Sequence, residues 1–346
     1  MSSGGAVLAR APLLALPATL AILLFALGAE TAQAQERVSI SGQVINGTEG
    51  ASLATPLPVT LHAFADGERP VITTSTTADA AGRFSFDGVA LGEGWGYVVS
   101  VAYAGAVYSV ALAVGDLASP VELKVYEATQ DAGVVEVTQH VLVVVHVDAK
   151  RGQIGAIEFV QLRNTGQRTL VPDLAKPDRV SFLRFSLPPQ ATELDVQADL
   201  PGGQIVSIGT GFAITAPVLP GEHSLRFSYR FPYRGDGISY RQSFLQGARL
   251  YQALVPERLA QIQVVPLQPT PPVDLNGAVY RVWEARDFPP GQGLVLELRN
   301  LPRPSLLDRI EKSVSDGSFW KVSIPGFLGA ALALLLLYGA LHRESR

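Results

Sequence analysis

The sequence predicts an all-β protein: two antiparallel β-sandwich domains, or three if the second divides, with a cleaved N-terminal signal peptide and a C-terminal transmembrane helix. Three observations lead there. Between Val38 and Arg299 apolar and polar residues alternate in runs rich in Val, Ile, Phe, Tyr and Thr, the period of a half-buried strand. The chain's 33 Gly and 24 Pro break those runs about every 8–12 residues, which suits tight turns and protected sheet edges. Each end carries a long apolar stretch that the alternating body lacks.

The N-terminal end has Arg10, an apolar run from Ala11 to Gly28, and then Ala32-Gln33-Ala34. Small residues spaced A-x-A after a short apolar region mark a signal-peptidase site. The expected leader is residues 1–34. An uncleaved signal anchor is the alternative, and Pro12 and Pro17 count against it. The body then lies outside the cytoplasm in either case.

The first unit is expected over 35–128. VSISGQVINGT alternates Val38, Ile40 and Gly42 and reaches an Asn46-Gly47 turn; PVTLHAFA puts Val59, Leu61 and Ala63 on one face. In DAAGRFSFDGV, Asp79 is placed to bond a turn backbone, Gly82 to take positive φ, and Phe84 and Phe86 to share a face. Tyr97, Val99 and Val101, then Val107 to Ala113, complete the meander.

The order SGQVINGT, PVTLHAF, DAAGRFSFDGV, YVVSVAYAGAVYS resembles the carboxypeptidase-regulatory or transthyretin-like β-sandwich, over about a quarter of the chain. The resemblance implies a compact appended module of secreted and surface proteins, and fold more than function. The chain departs from that pattern at LGEGWG, which stands where the family has a compact Pro-Gly turn and sets Trp95 at the surface. No HExxH or HxxE pair occurs in the sequence, so a peptidase association is not carried over.

Residues 129–301 read as a larger immunoglobulin-like sandwich region, with division near Asp199 as the alternative. VVEVTQHVLVVVHVD is apolar on both faces in its middle, as a central strand covered on two sides would be. Residues 302–321 follow as a juxtamembrane amphipathic helix: Ser305 to Asp308 resembles a capping box, and Leu307, Ile310 and Val314 share a helical face. Phe327 to Leu341 is uninterrupted apolar sequence. With its flanks, 322–342 reaches the roughly 20 residues that span a bilayer. Trp320 and Lys321 precede it, and the basic tail 343–346 is expected to stay cytoplasmic. The expected location is a cell membrane, single-pass, with the body outside.

Composition narrows the chemistry. With 27 Lys+Arg against 31 Asp+Glu and a net charge of -4, nucleic acid is not an expected partner. The absence of cysteine excludes disulfides, thiolate metal sites, thiol nucleophiles and c-type haem attachment. His140 and His146 share a strand and the same parity, but stand about 20 Å apart at ~3.3 Å per residue, too far for one metal ion. His62 and His223 are alone in strand-like segments, and His342 is in the tail. No G-x-S-x-G elbow is present. No catalytic residue, cofactor or metal is therefore assigned.

The surface singled out is RFSYRFPYRGDGISYRQSF. Its candidate interaction residues are Arg226, Arg230, Arg234, Tyr240 and Arg241, because Arg and Tyr together stack and hydrogen-bond. A half-buried strand with a solvated Arg face is the competing account. The expected function is a non-enzymatic, membrane-anchored extracytoplasmic binding or scaffolding protein, an accessory subunit of an envelope complex. A surface carbohydrate-binding protein is the alternative, and a hydrolase the lesser one. The partners expected are the bilayer, through the C-terminal helix, and an envelope protein or a glycan.

Overall fold

A computed structural model of the chain describes residues 36–54, 56–65, 67, 69–173, 182–275 and 277–303. The expected leader, the expected amphipathic helix beyond residue 303, the apolar span and the tail lie outside those residues. Among the described residues no helix is long and apolar enough to cross a membrane, and regular structure is all β apart from three short 3₁₀ turns.

The first seven strands are β1 (Arg37–Asn46), β2 (Leu57–Phe64), β3 (Ile72–Ala78), β4 (Arg83–Ala90), β5 (Gly96–Tyr103), β6 (Ala106–Leu112) and β7 (Val121–Val125). They form two sheets, β4-β1-β7 and β3-β2-β5-β6. Alternation decides which side chains lie between them. Val59, Leu61 and Ala63 of β2 are wholly buried, and Phe84 and Phe86 of β4 meet Ile40, Val44, Tyr97 and Val99 in one apolar cluster. Burying each such side chain stabilises by about 1.5–3 kcal/mol.

The β3–β4 turn has a local cause. The Asp79 carboxylate accepts the backbone N–H of Ala81 and of Arg83, each at 2.9 Å. Those backbone bonds, with the Arg83 side chain adding to them, hold its pKa below the usual carboxylate value. Gly82 takes φ +77°, and a Cβ there would stand 2.1 Å from the carbonyl oxygen of Val44. Only glycine fits both conditions.

The remaining strands are β8 (Ala128–Thr129), β9 (Val135–Asp148), β10 (Gln153–Asn164), β11 (Thr169–Leu170), β12 (Leu183–Ser186), β13 (Thr192–Ala198), β14 (Ile205–Ile208), β15 (Gly211–Ile214), β16 (Gly221–Pro232), β17 (Gly237–Phe244), β18 (Ala248–Pro256), β19 (Gln263–Val265), β20 (Gln268–Leu275), β21 (Ala278–Phe288) and β22 (Gln292–Arg299). A seven-stranded sheet, β13-β16-β10-β9-β18-β21-β20, is covered on one face by two three-stranded sheets, β12-β15-β14 and β17-β22-β19. Most of the buried apolar residues from Val135 to Leu301 make a single cluster that includes residues on both sides of Asp199.

Two details depart from the sequence expectation. The pairing is not wholly antiparallel, because β1 runs parallel to β7, β8 to β11, and β9 to β18. And β9, although central, is covered by the described residues on one face only: Val141 and Val143 are half-buried and Val145 is exposed on the other.

The two clusters meet at a polar junction. The Thr48 hydroxyl donates to the Gln167 carbonyl (2.8 Å) and accepts the Glu127 N–H (2.9 Å). Tyr108 and Thr169 hydroxyls bond at 2.7 Å. The Glu127 carboxylate accepts from Tyr103 (2.6 Å) and Asn46 (2.9 Å), and these donors, Tyr103 first, lower its pKa.

Candidate functional site

The sequence-selected residues do not form one patch. Arg226 and Arg230 project from β16 onto the open face of the seven-stranded sheet, and Phe227, Tyr229, Phe231 and Tyr233 project inward, as alternation requires. Arg234 is exposed in the β16–β17 turn. Arg241 is exposed on β17, opposite Val295 of β22, and so belongs to the other layer. Tyr240 is a correction: it is 4% exposed, because β17 turns its even-numbered side chains into the core. The expected Arg/Tyr platform is therefore divided, with the tyrosines inside and the arginines on two faces.

What stands beside Arg226 is instead apolar. Arg226 is in register with Phe159 of β10, and Phe159 with Val141 of β9. Phe159 is 42% exposed, and Val141, Val143 and Ile157 around it are half-buried. The border is polar: Arg230 pairs with Glu193 (3.1 Å) and Arg226 hydrogen-bonds Gln197. This open sheet face is the candidate recognition surface. Its elements form one rigid ladder, because β10 pairs along its whole length with both β9 and β16.

A second constellation was not anticipated. Glu158, on β10, is fully buried and accepts the Tyr229 hydroxyl through one oxygen while its other oxygen bonds Nε2 of His140. The three come from β10, β16 and β9 and lie at the centre of the core. His140 sits among rings, with centroids 5.3 Å from Tyr251 and 5.9 Å from Phe244, both close to perpendicular. Burial, with the charge of Glu158 adding to it, pushes the Tyr229 and Tyr240 phenols well above their usual value; burial chiefly does the same for Tyr251.

One signal for this cluster was available. In QIGAIEFVQLRN the inward positions run Ile154, Ala156, Glu158, Val160, Leu162, so alternation alone places a carboxylate in the core. Its partner was hidden by two register shifts in β9, one between Val137 and Gln139 and one between Val144 and His146. Each bulge reverses parity. His140 thus points inward and His146, expected on the same face, is exposed. Chemically the chain Tyr–Glu–His can hold and share protons, but at 2%, 0% and 3% exposure its members meet no solvent or substrate. It acts as a polar cross-link of three strands.

His223 also gains a carboxylate that its spacing did not show. Asp199 is 3.4 Å from its Nδ1, while Nε2 meets the Leu219 carbonyl at 2.8 Å. The Ser224 hydroxyl donates to the same Asp199 (2.9 Å) rather than to the imidazole, so these three do not form a nucleophile–base pair. Among the described residues no group of three or more His, Asp and Glu is placed to hold a metal ion. A cleft of about 710 Å³ opens between the start of β9 and the β17–β18 and β21–β22 turns, lined by Val135, Leu245, Phe288 and Pro290. The Glu136 and Arg249 on its wall engage each other at 2.6 Å.

No family model matches the chain, and no curated protein matches it. Solved structures that match include the M1 zinc metallopeptidase from Deinococcus radiodurans, at 14% identity over 48% of this chain and 42% of that one, with a TM-score of 0.29. A two-domain M1 zinc metallopeptidase mutant bound to L-arginine matches at 13% identity over the same shares, with a TM-score of 0.30. The chain thus aligns with less than half the length of these neighbours. At such TM-scores the likeness assigns neither family nor activity.

Proposed function

We infer that this protein is a membrane-anchored extracytoplasmic binding or scaffolding protein, an accessory subunit of an envelope complex. The observation that carries the reading is the open face of the seven-stranded sheet, where an exposed Phe159 and half-buried Val141, Val143 and Ile157 are bordered by Arg226 and Arg230. An apolar centre with a polar rim is the anatomy of a protein interface. The apolar runs at 11–28 and 327–341 support a body exported and then tethered. The first unit serves as a carboxypeptidase-regulatory-like module within that body.

A protein partner suits the surface better than a glycan. Sugar platforms combine several exposed aromatic faces with polar tips; here, among the described residues, Phe159 is the one aromatic side chain exposed on the sheet face, and Tyr229, Tyr233 and Tyr240 are all buried. A hydrolytic reading would draw on the Tyr229–Glu158–His140 chain, which is sealed in the core.

The test is affinity purification of the full chain from detergent-solubilised membranes, with and without Phe159→Asp. A partner retained by the parent chain and lost from the correctly folded variant is the expected result. A monodisperse lone protein that instead retains polysaccharide would sink the scaffolding reading.

A further inference from the structure

The β20–β21 hairpin carries three exposed apolar side chains near its tip: Val273 at 38%, Leu275 at 46% and Val279 at 42%. Tyr280 of β21 pairs with Pro256, the last residue of β18, whereas the pairs Asp274–Val279 and Leu275–Ala278 lie beyond it. The tip therefore projects past its neighbouring strand by two residue pairs, or about 7 Å at ~3.3 Å per residue. Val273 and Leu275 share a face with their partners Tyr280 and Ala278. Asp274 and its partner Val279 lie on the opposite face, where the Asp274 carboxylate accepts the Gly277 N–H at 2.7 Å.

The tip lies at the end of the sandwich from which the chain leaves toward residue 304. β18 runs parallel to β9, so Pro256 and Asp148 are at the same end. The Tyr233 N–H bonds the Gly152 carbonyl there (2.8 Å), the Tyr233 hydroxyl donates to the Pro302 carbonyl (2.5 Å), and the Leu301 N–H to the Asp236 carbonyl (2.8 Å). The uninterrupted apolar run 327–341 follows along the chain. Four strand spacings separate β16, beside the exit, from β21, which is about 19 Å.

We propose that the β20–β21 tip, through Val273 and Leu275 on one of its faces, rests in the headgroup–acyl boundary of the bilayer and so orients the sandwich above it. This rests on the membrane-anchor reading of the C-terminal segment. A single tether leaves the body free to swing; a second contact about 19 Å away restricts the tilt. Two small side chains bind a bilayer weakly on their own. A tether that holds them at ~mM effective concentration makes the weak contact sufficient. A protein strand is the poorer occupant, because β20 is an edge strand carrying Pro269, Pro271 and Pro272, which have no N–H to offer.

The chain contains no cysteine, so Leu275→Cys gives a unique labelling site, and Thr74→Cys on exposed β3 gives a reference. The full chain, labelled with a fluorophore, is reconstituted into phosphatidylcholine vesicles and floated. A lipid-soluble nitroxide and aqueous iodide then compete as quenchers. The proposal expects severalfold stronger nitroxide quenching at 275 than at 74, protection from iodide at 275, and loss of that protection when Val273→Asp is added. Flotation with a label at 275 as open to iodide as that at 74 overturns the proposal alone. A label shielded from both quenchers means that protein covers the tip, and overturns it too. A chain that does not float overturns the anchoring reading and the proposal with it.

Discussion

The two hydrophobic clusters obey the same alternation and treat polar groups differently. In the first, each deeply placed tyrosine reaches a partner at the margin: Tyr97 donates to the Ala90 carbonyl (3.0 Å), Tyr103 to Glu127 and Tyr108 to the Tyr126 carbonyl (3.0 Å). In the second, Glu158, His140 and Tyr229 satisfy one another in the middle, and the hydroxyl of Tyr251 has no hydrogen-bond partner among the described residues. Strand length explains the contrast. β9, β10 and β16 run 14, 12 and 12 residues, roughly 40 Å or more, so a side chain at mid-strand is out of reach of the rim. On the long strands a polar tip at mid-strand pairs inside, as Glu158, His140 and Tyr229 do.

Breaking that internal pairing should have the largest effect. Glu158→Ala leaves His140 and Tyr229 without their acceptor, and should cost about 3–5 kcal/mol. Urea unfolding followed by Trp283 emission, in a Trp95→Phe, Trp320→Phe background, measures it. Replacing the set together, as Glu158→Leu with His140→Leu and Tyr229→Phe, should recover most of the loss, since apolar packing substitutes well for a buried polar set. A triple variant as unstable as the single one would show that the cluster's bonds, not its orphaned partners, carry the cost.

In the first cluster the corresponding break is a cavity. Leu61→Ala should cost about 3 kcal/mol, read from Trp95 emission, while Trp283 reports the second cluster unchanged. If both report equally, the polar junction joins the two clusters into one cooperative unit.

Alkali should separate them next. The phenols of Tyr229, Tyr240 and Tyr251 are raised well above 10 by burial. Their contribution is therefore present in full below the unfolded value and declines as pH rises beyond it, because only the unfolded chain releases those protons. Each costs about 1.4 kcal/mol per pH unit above 10 until its folded pKa is reached. Unfolding between pH 10 and 12 should begin at Trp283 and be slowed by Tyr240→Phe with Tyr251→Phe.

The junction comes last. Tyr108→Phe removes the hydroxyl shared with Thr169 and should cost about 1 kcal/mol, seen as a wider gap between the Trp95 and Trp283 midpoints. The Glu127 carboxyl is held below its usual value by the Tyr103 and Asn46 donors. Its contribution is present above the unfolded value near 4.5 and is lost as pH falls through the folded one. Glu127→Gln should flatten that acid limb by lowering the neutral-pH stability toward the value the parent chain has in acid, where the two chains should agree.

Much of this could be read along the chain. Phe84 with Phe86, and Val59 with Leu61 and Ala63, lie on the faces their spacing dictates, and the Asp79–Gly82 turn forms as its residue types require. Glu158 is legible in the same way, as a carboxylate at an inward position of β10, whereas histidine spacing carries no sign of it. The direction of His140 was not legible. It depends on bulges at both sides of it, and bulges arise when paired strands accommodate one another. Tyr240 and Arg241 were grouped with Arg226 by nearness in sequence, although β17 crosses to the opposite layer.

The sequence by itself determined the all-β class, the buried face of the strands without bulges and the chemistry of the tight turns, because those follow from preferences that act within a few residues. Only the tertiary structure decided the parallel pairing of β9 with β18, the meeting of His140, Glu158 and Tyr229, and the division of the arginines between two faces. Those depend on register between strands that can stand more than a hundred residues apart, as Tyr251 does from its partner His140. Register is chosen by packing across the whole core, and no local preference encodes it.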